Sequence, residues 1–199
     1  MRHMSKGLAA GLLLLTVACG PSTKLTSFWK DPSAGPFKFK KVLVMVISKD
    51  ETIRRAAEDE VVRQITKTTA VPSYTLFPDT NAKDQDRMKA KIKEDGFDGA
   101  IVMRMVDKTQ QTSWVPGAYP APYYSFYGYA GYGWGGVYDP GYMQTTTIVK
   151  IETNIYSVAD NKLLWSGLSE TFDPTGPRET IQGVVGAVAT ELRKQGLIT

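Results

Sequence analysis

Past residue 3 the sequence contains no histidine, and its single cysteine is Cys19. Ser-His-Asp and Cys-His nucleophilic catalysis therefore lose their base. Zinc, copper and non-haem iron sites lose their common ligands and keep only carboxylates. An internal disulfide is excluded by the count alone. A long hydrophobic run is missing too. The longest, residues 7–18 (GLAAGLLLLTVA), falls short of the ~20 apolar residues that cross a bilayer. Net charge is small: the formal +4 arises from 24 basic and 20 acidic residues, and two of the basic ones, Arg2 and Lys6, precede that apolar run. No clustered basic face is left, so nucleic acid is not an expected partner.

What the N-terminus does contain is an address. A basic start, a short apolar run and small residues before a break make residues 1–18 a secretory signal peptide. Thr16-Val17-Ala18-Cys19 resembles the lipobox of bacterial lipoproteins, with Thr16 in place of the usual leucine. That resemblance implies that the Cys19 thiol is acylated and becomes the first residue of the mature chain. Acyl chains contribute ~0.8 kcal/mol per buried CH2, and two or more hold a protein stably on a membrane. Gly20 in second place, where enterobacterial lipoproteins of the inner membrane carry aspartate, implies the outer membrane, with the domain facing the periplasm.

Residues 19–38 read as the lipidated cysteine and a proline-containing tether, able to span at most ~60 Å at ~3.3 Å per residue. Trp29 and Phe37 within it are expected to dock on the domain. Residues 39–199 read as one α/β domain. Val42–Ile47 (VLVMVI) is apolar on both alternating faces, as a central strand covered on both sides must be. Ser48 and Glu51 read as a capping box for a helix with stripe Ile53, Ala56, Ala57, Val61 and Ile65. Ser73–Phe77 is a short strand, Asp84–Asp95 a polar helix closed by Gly96, and Ala100–Val106 a third strand. Thr147–Tyr156 alternates and pairs with Leu163–Phe172 across the turn at 159–162. Pro177 opens a last helix with stripe Ile181, Val184, Val185, Val188 and Leu192. The order β-α-β-α-β-loop-β-β-α predicts a mixed five-stranded sheet, strand order 2-1-3-4-5, with helices packed on it.

Several motifs fall away on inspection. Glu58-Asp59-Glu60 and Asp84-x-Asp86 sit in lysine- and arginine-rich helical stretches and read as solvated faces. Asp79-x-Asn81 begins like a calcium loop, but Lys83 and Asp84 stand where an oxygen ligand and a glycine are needed. Gly131-x-Gly133-x-x-Gly136 matches a dinucleotide fingerprint in letters only, because no strand precedes it and no helix follows. No metal or other cofactor is expected.

The conspicuous segment is 116–142, inserted within 112–143. It holds eight of the ten tyrosines, seven glycines, four prolines and one charge, Asp139. Glycine and proline at that density do not build a regular core. Tyrosine and tryptophan supply large amphipathic contact area at low rotamer cost, and both favour the membrane interface. The segment reads either as a loosely packed insertion with no dedicated partner or as a contact surface; in the second case Tyr119, Tyr123, Tyr124, Tyr127, Tyr129, Tyr132, Trp134, Tyr138 and Tyr142 are the candidate contact residues, toward an envelope protein, a glycan or the interface.

Trp29-Lys30-Asp31-Pro32, Phe39 to Val44, Arg55-Ala56-Ala57-Glu58, Pro72-Ser73-Tyr74, Leu164-Trp165-Ser166-Gly167 and Phe172-Asp173-Pro174 together resemble a group of small bacterial lipoproteins carrying the domain of unknown function 4136 or its relatives. The resemblance covers most of the mature chain and implies an envelope lipoprotein, with no activity attached. The expected function is a lipid-anchored envelope protein that binds or scaffolds without catalysis. The alternative is a carboxylate-based hydrolase of envelope glycan. Replacement of Cys19 by alanine is expected to release the protein from the membrane fraction. Sedimentation of the variant with carbonate-washed membranes would sink the anchor reading.

Overall fold

The computed structural model describes residues 22–78, 85–117, 127 and 140–199. Its elements run β1 (Ser22–Lys30), β2 (Lys41–Ile47), α1 (Glu51–Gln64), β3 (Thr69–Pro72), a 3-10 turn (Ser73–Thr75), α2 (Gln85–Glu94), β4 (Gly99–Val115), β5 (Tyr142–Ser157), β6 (Lys162–Phe172) and α3 (Pro177–Lys194). They form one mixed sheet of order β1-β6-β5-β4-β2-β3. β2 lies parallel to β3 and β4, whereas β4, β5, β6 and β1 alternate in direction. The five expected strands keep their expected order. The sixth, β1, comes from the segment read as a tether.

The tether reading fails for a physical reason. β1 is an edge strand, and Lys24, Thr26 and Ser27 on it are exposed, so no apolar alternation marks it. It pairs with β6 from Ser22↔Phe172 to Lys30↔Trp165, with a bulge between Leu25 and Ser27. The Thr23 and Thr171 hydroxyls meet at 2.9 Å. Phe37 packs on the core as expected. Trp29 does not; it stands 47% exposed.

β2 is the covered strand that its composition requires: Val42, Leu43 and Val44 are all buried. Val44 and Val46 face α1 and α3 in a core with Met103, Val149, Trp165 and Val184. On the other side Lys41 reaches the Asp95 carbonyl at 2.8 Å and lies 4.4 Å from the Phe97 ring centroid. The turn after α2, at Asp95 and Phe97, thus lies against that face of β2. From Ile148 to Ser157 in β5 and from Leu164 to Phe172 in β6, buried and half-buried residues alternate, so the second face there is the more open one. The Trp165 indole fills the core directly over Gly167, where a Cβ would come within 2.2 Å of the ring. That contact explains the Leu-Trp-Ser-Gly motif as packing.

Three local expectations are corrected. The α1 cap is Asp50, whose carboxylate accepts from Thr52 N and Ile53 N; Ser48 instead accepts from Asp50 N. The short strand ends at Pro72 and Ser73–Thr75 forms a turn, because Ser73 and the Tyr74 N–H are drawn to Glu58. Glu58 and Glu60 are buried, not solvated. β3 stops opposite Val44, and Glu58 takes up the Val46 N–H two residues further on, at 3.0 Å. The same carboxylate accepts from Arg54 Nε (3.2 Å), Ser73 Oγ (2.8 Å) and Tyr74 N (3.0 Å). Arg54 in turn donates to the Phe77 carbonyl. Glu60 joins α1 to α3 through Gln182 and Arg178. Burial pushes its carboxyl up, but bonds from Gln182 and Gln64 and the charges of Arg63 and Arg178 outweigh that and hold it below the usual range.

The Trp-Lys-Asp-Pro motif is a turn clasp. Asp31 accepts from Ser33 N (2.8 Å), Ser33 Oγ (2.5 Å) and Lys162 Nζ (2.9 Å), while its N–H donates to the Leu164 carbonyl. The Ser33 hydroxyl, then Lys162 and the Ser33 N–H, lower its carboxyl from 3.8 to about 2.

Two outcomes follow. Glu58→Ala removes one of the two carboxylates paired with the buried Arg54 guanidinium and leaves the Val46 and Tyr74 N–H groups without their acceptor, at a cost of about 3–5 kcal/mol. A urea midpoint equal to that of the parent would show the network to be dispensable. Asp31, with its folded-state pKa depressed, stabilises fully above 3.8 and loses that contribution as the pH falls toward about 2. Asp31→Asn is therefore expected to destabilise at neutral pH and to flatten the loss of melting temperature across that acid window; parallel curves for parent and variant would refute the clasp.

Candidate functional site

β4 outruns its neighbours. Its pairing with β2 ends at Ile47↔Arg104, yet its pairing with β5 continues to Val115↔Tyr142. β5 loses β6 beyond Ile148↔Phe172. A bulge between Met105 and Asp107 marks the departure from the sheet. From Thr109↔Ile148 outward the two strands pair, among the described residues, only with each other and form a ribbon. Both strands were expected to stop sooner, at Val106 and Thr147. Residues 107–113 bury no face, so no period-two pattern appears, although Thr109 and Thr112 suit a pleated strand.

The ribbon is rooted by charge and by a backbone clasp. Lys150 lies 3.8 Å from Asp107 and 3.5 Å from Glu170, and Lys24 lies 3.7 Å from Glu170. Asp173 exchanges bonds with Thr147 in both directions: its N–H donates to the Thr147 carbonyl and its carboxylate accepts from the Thr147 N–H. The Phe-Asp-Pro motif thus fixes the ribbon base. Midway, the Thr112 and Thr145 hydroxyls meet at 3.2 Å. At the tip Trp114 opposes Met143 and Val115 opposes Tyr142. Trp114 is 56%, Met143 60% and Tyr142 61% exposed. Gly141 closes the tip at φ +74°, and a Cβ there would stand 2.4 Å from the Val115 carbonyl oxygen.

Beside the ribbon base, on the helix-covered side, opens an apolar groove of about 1080 Å³. It runs between the starts of α1 and α3. Met45, Met88, Met103 and Met105 line it with Ile47 and Ile53, and Arg104 and Lys108 stand on its rim. Ile47, Ile53 and Met105 are exposed in it. Methionine-lined surfaces adapt their shape to apolar partners.

Of the candidate contact residues, Tyr142 sits at the ribbon tip and Tyr127 is exposed. Tyr119, Tyr123, Tyr124, Tyr129, Tyr132, Trp134 and Tyr138 lie outside the described residues, as does Cys19. Sequence reasoning missed Trp114, Val115 and Met143, which the strand pairing brings together with Tyr142. It also missed the groove, whose lining comes from β2, β4, β5, α1, α2 and α3 and has no signature in any one segment. Among the described residues no helix is long and apolar enough to cross a membrane.

No family model matches the chain, and no curated protein matches it. Among solved structures it is similar to a PelC dodecamer from Paraburkholderia phytofirmans, at 11% identity over 85% of this chain and 96% of that one, with a TM-score of 0.42. A second crystal form of that dodecamer matches at 10% identity over 86% and 94%, with a TM-score of 0.38. The lipoprotein GNA1162 from Neisseria meningitidis matches at 15% identity over 77% of this chain and 98% of that one, with a TM-score of 0.40. Likeness at this level carries no statement about activity.

Proposed function

We propose that this chain is a lipid-anchored protein of the cell envelope, attached to the outer membrane through Cys19 and facing the periplasm. Its role is to bind or scaffold, without catalysis of its own, and its contact surface is the Tyr/Gly-rich segment 116–142. The observation that carries the reading is the pairing Val115↔Tyr142 at the end of the ribbon. The fold holds both ends of the segment side by side, away from the core, as a scaffold holds a binding loop. A glycan hydrolase would need a carboxylate pair free to act. The Glu58 and Glu60 pair is occupied, since both carboxylates accept from backbone, arginine and glutamine donors inside the fold.

Replacement of 116–141 by a short glycine-serine turn tests the reading. Loop closure depends weakly on length, ~0.6 kcal/mol per doubling, so the shortened domain is expected to melt within a few degrees of the parent. It is expected to lose cross-links to its envelope partner in intact cells. A shortened domain that fails to fold, or that keeps its cross-links, would exclude the segment as the contact surface.

A further inference from the structure

We propose that the ribbon tip, formed by Trp114, Val115, Tyr142 and Met143, docks in the headgroup region of the lipid leaflet that holds the Cys19 acyl chains. This deepens the function proposed above and rests on its lipid anchor: the partner of the ribbon tip is a lipid surface.

The strand registers carry the geometry. Ser22 pairs with Phe172, Phe172 with Ile148 and Ile148 with Thr109, so all four lie on one row at one end of the sheet. The chain leaves that row twice. Toward the anchor, Cys19 is three residue steps from Ser22, a reach of at most ~11 Å. Toward the ribbon tip, β5 runs six residues from Ile148 to Tyr142, a rise of ~20 Å at ~3.3 Å per residue. The ribbon outreaches the anchor from the same end. A membrane close enough to take the acyl chains is therefore close enough to meet Trp114 and Tyr142.

The chemistry is graded in the same direction. Charges stand at the root: Lys24, Asp107, Lys150 and Glu170. Neither 109–115 nor 142–148 contains a charged residue. Threonine, serine and glutamine occupy the middle of the ribbon, and tryptophan, tyrosine, methionine and valine its tip. Tryptophan and tyrosine settle at the headgroup level of bilayers. Among the described residues the ribbon's outer N–H and C=O groups face no strand, so they need water or headgroups, which stops the tip short of the hydrocarbon. The exposed apolar groove residues Ile47 and Met105 open toward this end as well, since β2 finishes there opposite Arg104.

The test uses the full acylated chain. Acylated Cys19 offers no thiol, so one introduced cysteine takes a polarity-sensitive dye alone. Met143→Cys and Tyr142→Cys report from the two faces of the tip. Gly35→Cys reports from the turn at the far end of the sheet, where open space surrounds the position. Each protein is reconstituted in phosphatidylethanolamine and phosphatidylglycerol vesicles, with and without nitroxide-bearing lipid. Dyes at 142 and 143 are expected to shift to the blue and to lose emission to the nitroxide, and the dye at 35 to do neither. Tip dyes that report water while the protein floats with the vesicles would overturn the proposal and leave the anchor standing. A blue shift without nitroxide quenching would overturn it in favour of a second copy of the chain covering the tip. Protein that does not float at all would remove the anchor reading and the proposal together.

Discussion

The antiparallel pairing of β4 with β5, from Gly99↔Ser157 to Val115↔Tyr142, is the seam on which the rest of this molecule depends. On one flank it carries the parallel β2 and β3, and on the other β6 and β1. Its inner half supplies Met103, Val149, Ile151 and Ile155 to the core beneath α1 and α3. Its outer half supplies nothing to the core and leaves the domain as the ribbon. One pair of strands thus serves two solvents, an apolar interior held by burial and an exterior held by backbone pairing and the Thr112–Thr145 hydroxyl contact.

Where burial imposed a period, the sequence was readable. VLVMVI, the alternation of β5 and the stripe of α3 all follow from which face must be dry, and the order of five strands follows from crossover handedness. Where no face is buried, or one face only at an edge, the period vanishes. β1 was hidden for that reason, and so was the outer half of β4. Buried charge misled in the other direction. Glu58 lies among charged neighbours that suggest a solvated face, yet its donors come from β2, from its own helix and from the turn at Ser73. Nothing in a linear window reveals donors that far apart. At the candidate site Tyr142 was legible by composition, whereas Trp114 and Met143 became candidates only through the register that sets them opposite each other.

The short motifs that suggested a lipoprotein family turn out to be structural devices. Asp31 clasps a turn to Lys162, Gly167 makes room for Trp165, and Asp173 fixes Thr147 at the root of the ribbon. They keep the sheet and its projection in register. A fold specified in this way can present varied tips on a constant frame, as surface loops on rigid scaffolds do.

The position of β1 also sets how the protein bears load. A pull on the chain ahead of Ser22 runs along β1 rather than across it. The eight register pairs from Ser22↔Phe172 to Lys30↔Trp165 are then sheared together, not unzipped one after another. Gly183 presses α3 against Thr23, so close that a Cβ would stand 2.3 Å from the hydroxyl, and this adds friction on the same strand. The edge strand that read as a tether is a shear-loaded fastening of the N-terminal segment to the sheet.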